Sequence, residues 1–131
     1  MPYDATIQTF ENHVRAHVTG ARVPGQAVAD ADIVGEELVT LCREKGINKI
    51  LLVIELAGRL SAIDAYEIVS SSEQYGWSRE FKLAFVDLNA ESLEDSYFTE
   101  TVAVNRAYSM SVFDDEEEAK VWLLDVADRD V

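Results

Sequence analysis

One segment, KILLVIEL at residues 49–56, constrains the fold more than any other part of the chain. Its apolar residues are nearly continuous and rich in β-branched side chains, which is typical of a strand covered on both faces. Strands of this kind belong to largely parallel sheets that carry helices. The segment therefore predicts an α/β domain.

The rest of the chain alternates between strand and helix patterns. After a first short strand and a turn at Glu11-Asn12, a second strand is indicated by Val14, Ala16 and Val18, which alternate with polar residues. Apolar runs predict strands at 82–88 and 108–113, and apolar residues at helical spacing predict helices at 31–46, 61–76, 91–107 and 114–124. The order β-β-α-β-α-β-α-β-α predicts a mixed, mostly parallel sheet of about five strands with helices packed on it.

Caps and apolar faces can be assigned to these helices. Residues 20–30 are predicted to be a loop, with Asp30 or Asp32 capping the first helix and Ser61 capping the second in capping-box spacing with Asp64. The residues predicted to share a helix face are Val34, Leu38, Leu41 and Cys42 in the first helix, Ala62, Ala65, Tyr66 and Val69 in the second, Tyr97, Phe98, Thr101 and Val102 in the third, and Ala119, Trp122, Leu123 and Val126 in the last.

Size and charge limit the classes of function. The 131 residues predict one domain over 1–131, and a net charge of −14 disfavours binding to nucleic acid or to anionic lipid surfaces. Cys42 is the only cysteine, so no internal disulfide forms and a reducing compartment is indicated. The first residues lack a signal-peptide pattern, and the longest apolar run, 50–54, is too short to span a membrane. We therefore expect a cytoplasmic protein.

Five consecutive acidic residues, Asp114 to Glu118, invite a metal-site interpretation. Consecutive helical residues point in directions about 100° apart, so their carboxylates do not converge on one cation. Asp114 and Glu117 instead have capping-box spacing, and carboxylates in a first turn interact favourably with the helix dipole. The run predicts the start of the last helix.

Other motifs for catalysis or metal binding are also weak. His13 and His17 lie on one predicted strand about 13 Å apart, too far to share one ion, and are expected to be exposed. Cys42 lies on an apolar helix face and is expected to be an inert buried thiol. No nucleophile elbow or phosphate-binding glycine pattern is found, so we expect neither an enzyme nor a cofactor or metal.

Polar residues do follow two of the predicted parallel strands. Glu55, Arg59 and Ser61 come at the end of one, and Asp87 and Asn89 at the end of the next. Ligands of parallel sheets bind beyond the carboxyl ends of the strands, so these residues predict a binding rim. Ser61 is the most interesting member, because a phosphate at a helix N-terminus is favourably placed on the dipole, although simple capping also explains it.

With these elements in place, the chain resembles the STAS-like domain family, in particular its anti-sigma-factor-antagonist-like branch, which is grouped with CRAL-TRIO lipid-binding folds. The segments that carry the resemblance extend over residues 30–124 and are KILLVIELAGRLSAIDAYEI, KLAFVD, FTETVAVNRAYSMSVF and FDDEEEAKVWL. It implies helices packed on a mixed sheet, and dimers are frequent in the family. In signalling members a serine at the start of the helix after the central strand is phosphorylated by a partner kinase, and Ser61 is the matching position. Those members read Asp-Ser-Ser-Gly where this chain reads Arg-Leu-Ser-Ala, and the wider branch often has glycine at the position of Ala107.

Two functions are consistent with these features. The first is a non-enzymatic interaction or regulatory domain that binds a protein partner or a second copy of itself, with Ser61 and Arg59 at the partner or phosphorylation site. The alternative is a protein that binds a small apolar or lipid-like ligand between sheet and helices, as the CRAL-TRIO relationship implies. The aromatic residues that would line such a pocket are Tyr66, Tyr75, Trp77, Tyr97 and Phe98.

Overall fold

The computed structural model describes residues 3–125. The elements, in chain order, are β1 (Tyr3–Thr9), β2 (Val14–Ala21), α1 (Ala27–Lys45), β3 (Lys49–Ala57), α2 (Ala62–Ser71) with a 3₁₀ turn at Ser72–Tyr75, β4 (Lys82–Asp87), α3 (Leu93–Asn105), β5 (Ser109–Phe113) and α4 (Glu116–Leu123). The predicted α/β class and the five-stranded mixed sheet are confirmed. None of the helices in residues 3–125 has the length and apolar character needed to cross a membrane.

The strands lie side by side in the order in which they occur in the chain, β1-β2-β3-β4-β5. β1 pairs antiparallel with β2, and β2, β3, β4 and β5 are parallel to one another. Each of the parallel strands lies on the same side of the strand that precedes it in the chain. Connections that all have the same handedness therefore place α1, α2 and α3 on one face of the sheet.

This helix-covered face carries the larger part of the core. Leu38 and Cys42 of α1 pack against Val14 and Ile50, which are paired neighbours in β2 and β3. α2 and α3 pack in the same way on β5, where Val69, Ala103, Met110 and Val112 form one buried cluster. The apolar face predicted for α1 is therefore correct.

The opposite face is covered over only part of its width. Ala119 and Leu123 of α4 are fully buried against Leu51, Val53, Ala84 and Val86 of β3 and β4. The polar side chains of β1 on this face, Asp4, Thr6 and Gln8, are left exposed, whereas those of β2 are partly covered. The central strand β3 is thus buried on both faces along its first half, as its apolar run predicts.

α1 begins earlier than predicted, at Ala27, inside the segment assigned to a loop. Gln26 N–H donates to Val23 C=O at 2.9 Å across Pro24-Gly25, and Gly25 has φ +84°. Proline second and glycine third are the residues of a type II turn, and the helix starts directly after it. Neither Asp30 nor Asp32 is the cap.

α4 also differs from prediction by one residue. Asp115, not Asp114, is the N-cap, and its carboxylate accepts the backbone N–H of Glu118 at 3.2 Å. The shift does not change the explanation of the acidic run, because Glu116, Glu117 and Glu118 form the first turn. Val126, predicted to continue the apolar face of α4, lies outside the described residues.

The buried faces of α2 and α3 are rotated from the predicted ones. In α2, Ala65 and Val69 are buried as expected, whereas Ala62 and Tyr66 are exposed. In α3 the predicted face is mostly at the surface, and the buried row is Ser96, Thr99 and Ala103. Small side chains face inward there because α3 packs closely on both α2 and β5.

Ala107 is the one non-glycine residue with positive φ within residues 3–125, at +66°. It follows α3, where its N–H donates to Val104 C=O at 2.9 Å and reverses the chain toward β5. The left-handed conformation costs an L-residue roughly 1–2 kcal/mol because Cβ crowds the following carbonyl. Alanine at this position therefore carries backbone strain that glycine would not.

We predict that Ala107→Gly stabilises the protein by about 1 kcal/mol, because glycine adopts this conformation without the Cβ clash. Urea denaturation followed by circular dichroism measures the free energy of unfolding. Ala29→Gly on the exposed side of α1 is the matched control, and it should destabilise by about 0.5–1 kcal/mol. Destabilisation by both substitutions would contradict the strain at Ala107.

Candidate interaction surface and apolar cavity

The loop after β3 is held to the start of α3 by an ion pair. Arg59 Nη2 and Nε donate to the two carboxylate oxygens of Asp95 at 2.8 and 3.2 Å, and the backbone N–H of Leu60 donates to the same carboxylate at 3.0 Å. The Arg59 guanidinium lowers the pKa of Asp95 below its ordinary value, and the Leu60 N–H adds to this effect. The predicted site residue Arg59 therefore has a structural partner that connects two elements.

Ser61 caps α2, as its spacing predicts. Its hydroxyl oxygen accepts the backbone N–H of Asp64 at 3.1 Å, and the side chain is exposed. Gly58, with φ +91°, turns the chain before it, so Arg59 and Ser61 both reach the surface at the same end of α2. This is the end of the helix at which the two residues are predicted to meet a partner.

From this end, an apolar strip follows the boundary between α2 and α3. We define the α2–α3 strip as Ile63, Tyr66, Phe98 and Val102. Ile63, Tyr66 and Phe98 are 71%, 53% and 43% exposed, respectively, and Val102 is half-buried. Phe98 and Val102 are four residues apart, and Arg106 continues their row.

Arg106 shows that this row faces α2. Its guanidinium donates to Ser70 Oγ at 2.8 Å and lies 5.5 Å from the centre of the Tyr66 ring. At the other end, the ion pair Arg59–Asp95 connects the loop that precedes α2 to the first turn of α3. The strip thus has an arginine at each end. The partners of these two arginines lie in other elements and could not be predicted from local sequence.

Asp87 does not belong to a surface rim. It is 1% exposed at the end of β4, and its carboxylate accepts hydrogen bonds from Ser96 Oγ at 2.6 Å, Ser92 Oγ at 2.8 Å and Asn89 N–H at 2.9 Å. A buried carboxylate is stable where several donors surround it in this way. Asp87 therefore organises the start of α3.

Asn89 is also engaged within the protein. Its side-chain amide donates to Leu56 C=O at 2.9 Å, and its side-chain oxygen accepts the N–H of Glu91 at 3.0 Å. These bonds join the ends of β3 and β4 through one side chain. The amide serves the loop structure at the place where the rim was predicted.

Glu55 lies on the opposite face of the sheet from Asp87. Asp87 is the register partner of Ile54, and neighbouring residues of a strand point to opposite faces. Glu55 is paired there with His17. The structure therefore does not bring Glu55 together with Asp87, Asn89, Arg59 and Ser61, and the predicted rim is not a single site.

An apolar cavity of about 160 Å³ lies between the sheet and helices α1–α3. The residues lining it come from every layer of that side of the fold, and among them are Val18, Leu38, Ile54, Val69, Phe85 and Ala103. Tyr75 and Trp77 line it as predicted, whereas Tyr66, Tyr97 and Phe98 point away from it and are exposed. These three aromatic residues lie on the outer faces of α2 and α3, because the buried faces of the two helices carry smaller side chains.

Gly35 in the middle of α1 gives Tyr75 its place at the cavity. A Cβ at Gly35 would lie 2.2 Å from the Tyr75 hydroxyl, so no larger residue fits while Tyr75 keeps this position. Burial raises the pKa of Tyr75 well above its ordinary value, so its hydroxyl stays protonated. The long-range contact between Gly35 and Tyr75 gave no sequence signal.

His13 is 5% exposed, so the prediction of an exposed histidine is wrong. Its ring stacks on Phe10 at 4.7 Å and its Nδ1 is hydrogen-bonded to Asn12 Oδ1 at 2.8 Å, all within the β1–β2 connection. Burial, together with the charges of Lys120 and Lys49, lowers its pKa. The imidazole is therefore neutral near pH 7 and packs as part of the turn.

The remaining reactive groups are isolated. Cys42 is buried, as predicted for an inert thiol, and burial raises its pKa to about 11. Within residues 3–125, no three histidine, cysteine or acidic side chains are grouped as a metal ion would require. What this side of the molecule offers is an apolar surface strip and an apolar cavity.

No protein-family model matches the chain, and a search of curated proteins finds no significant match.

We predict that Asp87→Asn destabilises the fold by about 2 kcal/mol, because each hydrogen bond to a charged acceptor contributes about 1.5–3 kcal/mol. In addition, the NH₂ group of asparagine cannot accept the hydrogen bonds that the surrounding hydroxyl and N–H groups donate to the carboxylate. Glu55→Gln, at the exposed end of the neighbouring strand, should change stability by less than about 0.5 kcal/mol. Both values come from urea denaturation. Equal effects of the two substitutions would argue against the structural role of Asp87.

Proposed function

We propose that this chain is a non-enzymatic interaction or regulatory domain of the STAS-like kind, and that the α2–α3 strip binds a protein partner. One observation carries the proposal: the large apolar side chains Ile63 and Tyr66 of α2 and Phe98 of α3 are exposed on neighbouring helices, and Arg106, in the same row of α3 as Phe98, lies over the Tyr66 ring. Contiguous apolar surface of this kind is uncommon on monomers and is typical of interaction sites. Tyrosine with arginine at the margin is also the composition of interface hot spots.

The charge around the strip indicates the chemistry of the partner. Asp64 and Glu67 lie beside it on α2, and the chain as a whole has a net charge of −14. A basic surface that presents its own apolar side chains complements both features. Association with such a surface would be fast and would weaken with increasing salt.

The state of the polar residues favours binding over catalysis. Arg59 is paired with Asp95, and Asp87 and Asn89 are saturated with hydrogen bonds from the loops they organise. A general acid or base needs access to a substrate proton. These side chains are committed to architecture.

Ser61 is the regulatory position in this proposal. It is exposed at the end of the strip, two residues from Arg59, and it matches the serine that is phosphorylated in signalling STAS-like proteins. A phosphate there would add negative charge beside the partner surface and would be favourably placed on the α2 dipole. Its addition would weaken binding of an acidic partner segment and strengthen that of a basic one.

The partner surface can be tested by a pair of matched substitutions. We expect Ile63→Asp to abolish photo-crosslinking of a partner from a cross-linker at Tyr66 in the protein's own cells, because it places a charge in the strip. Val121→Asp on α4 is the control, since Val121 is 70% exposed and Ile63 is 71% exposed. Both substitutions should change stability by no more than about 0.5 kcal/mol. Crosslinking that survives Ile63→Asp would refute the strip as the binding surface.

The cavity favours a second candidate function, the binding of a small apolar ligand. At about 160 Å³ it resembles an apolar cavity of about 150 Å³ known to stay dry and to bind benzene. Ligand pockets for drug-sized molecules start at about 300 Å³, so a lipid does not fit this conformation. The ligand class is therefore a single ring or a short chain.

We predict that benzene shifts the methyl NMR resonances of residues around the cavity, such as Val18 and Val69. Ala31→Leu adds three carbons to a residue that lines the cavity, and it should remove the shifts and raise the melting temperature. Ala29→Leu, on the exposed side of the same helix, should leave the shifts in place. Absence of benzene-dependent shifts in the unmodified protein would eliminate this candidate.

A further inference from the structure

The two edges of the sheet are treated differently. At the β5 edge, the Glu100 carboxylate accepts the backbone N–H of Val112, so a side chain occupies an outward-facing donor. Covering or charging an edge in this way prevents pairing with another chain. Within residues 3–125, no segment pairs with the outer side of β1, at the other edge.

The outward backbone groups of β1 can be assigned from its register. Phe10 N–H donates to His13 C=O at 2.9 Å at the end of the β1–β2 ladder. Hydrogen-bonded and outward-facing residues alternate in an antiparallel pair, so the even-numbered residues of β1 bond to β2. The backbone groups of Ala5, Ile7 and Thr9 therefore face outward.

β1 also lacks the usual protections of an edge strand. Five of its seven residues are exposed, and the segment YDATIQT contains neither proline nor lysine. Asp4 is its one charged residue. A seven-residue strand with a free outer side is long enough to template a second strand.

We propose that β1 pairs antiparallel with β1 of a second copy of this chain, forming a two-fold homodimer with one continuous sheet. The two-fold axis passes at Thr6, where Thr6 of one copy faces Thr6 of the other. In this register all seven residues overlap, and Ala5 faces Ile7 of the second copy, so that outward-facing backbone groups meet each other. Asp4 faces Gln8.

The charges of β1 select a second copy as the occupant. A basic partner would find only Asp4 to pair with at this edge, whereas the self-register places no like charges opposite one another, despite a net charge of −14. Facing threonines are a favourable cross-strand pair. The contact is isologous and closes at two copies, and pairing of β1 with β5 into a fibre is opposed by Glu100.

Position 8 gives the most specific test of the register, read by sedimentation equilibrium. Gln8→Lys places a positive charge opposite Asp4 twice in the dimer, and Gln8→Glu places a negative charge there. We expect the dimer dissociation constant of Gln8→Lys to be at least about tenfold below that of Gln8→Glu, because each cross-strand pair acts twice. Gln74→Lys and Gln74→Glu, at an exposed site far from β1 in sequence, should differ by less than about twofold and control for net charge.

Stability should move in the opposite direction, which separates pairing from folding. Gln8 accepts a bond from Arg15 Nη1 at 3.4 Å, so Gln8→Glu improves this contact within one copy and Gln8→Lys impairs it. If the dissociation constants followed the folding stability of one copy rather than the pairing of two β1 strands, Gln8→Glu would therefore form the tighter dimer. This contrast keeps the result interpretable even where β1 is weakened.

A second pair of variants tests the backbone contact itself. Ala5→Pro removes an outward N–H and should give a monomer that still folds, whereas Thr6→Pro removes an N–H that bonds to β2 and should lower the melting temperature. A monomeric unmodified protein from micromolar to millimolar concentration, or a dimer unaffected by Ala5→Pro, would overturn the proposal. Ile63→Asp should leave the dimer intact, so failure of the α2–α3 strip and failure of the β1 pairing are distinguishable.

Discussion

Burial of β3 on both faces is the constraint on which the rest of the structure depends. One face of the strand packs against α1 through Ile50, and the other packs against α4 through Leu51 and Val53. Its backbone bonds to β2 on one side and to β4 on the other. A strand enclosed in this way requires parallel neighbours and crossover helices, which is why the remaining strands are added outward from it.

The same arrangement decides where function is expected. Because the strands follow one another across the sheet in chain order, α1, α2 and α3 lie on one face. α2 and α3 are therefore neighbours, and their outer surfaces adjoin. The polar residues at the strand ends are then needed to hold the loops that connect these layers. Asp87 receives three donors, and Asp95 binds both Arg59 and Leu60 N–H. The apolar surface of the two helices is then the distinctive feature of this side of the molecule.

Local sequence patterns predicted the parts of the fold that depend on neighbours along the chain. The strand pattern of residues 49–56, the cap at Ser61 and the role of the acidic run all follow from interactions within a few residues. Errors occurred where tertiary packing selects among similar alternatives. Tyr66 and Phe98 are as apolar as core residues, yet Ala65, Ser96 and Ala103 are the ones buried, because closely packed helices favour small side chains at their contact.

The α/β class, the order of elements, the buried central strand and the cap at Ser61 follow from the amino-acid sequence alone, because hydrophobic period and capping act locally. Three-dimensional packing was needed to show that Glu55 and Asp87 lie on opposite faces, that Asp95 is the partner of Arg59 and that Gly35 accommodates Tyr75. All three relations join residues some 30 to 40 positions apart in the chain, and the first of them depends on the register between β3 and β4. Their physical basis is the side-by-side packing of β3, β4 and the crossover helices, which no single segment encodes.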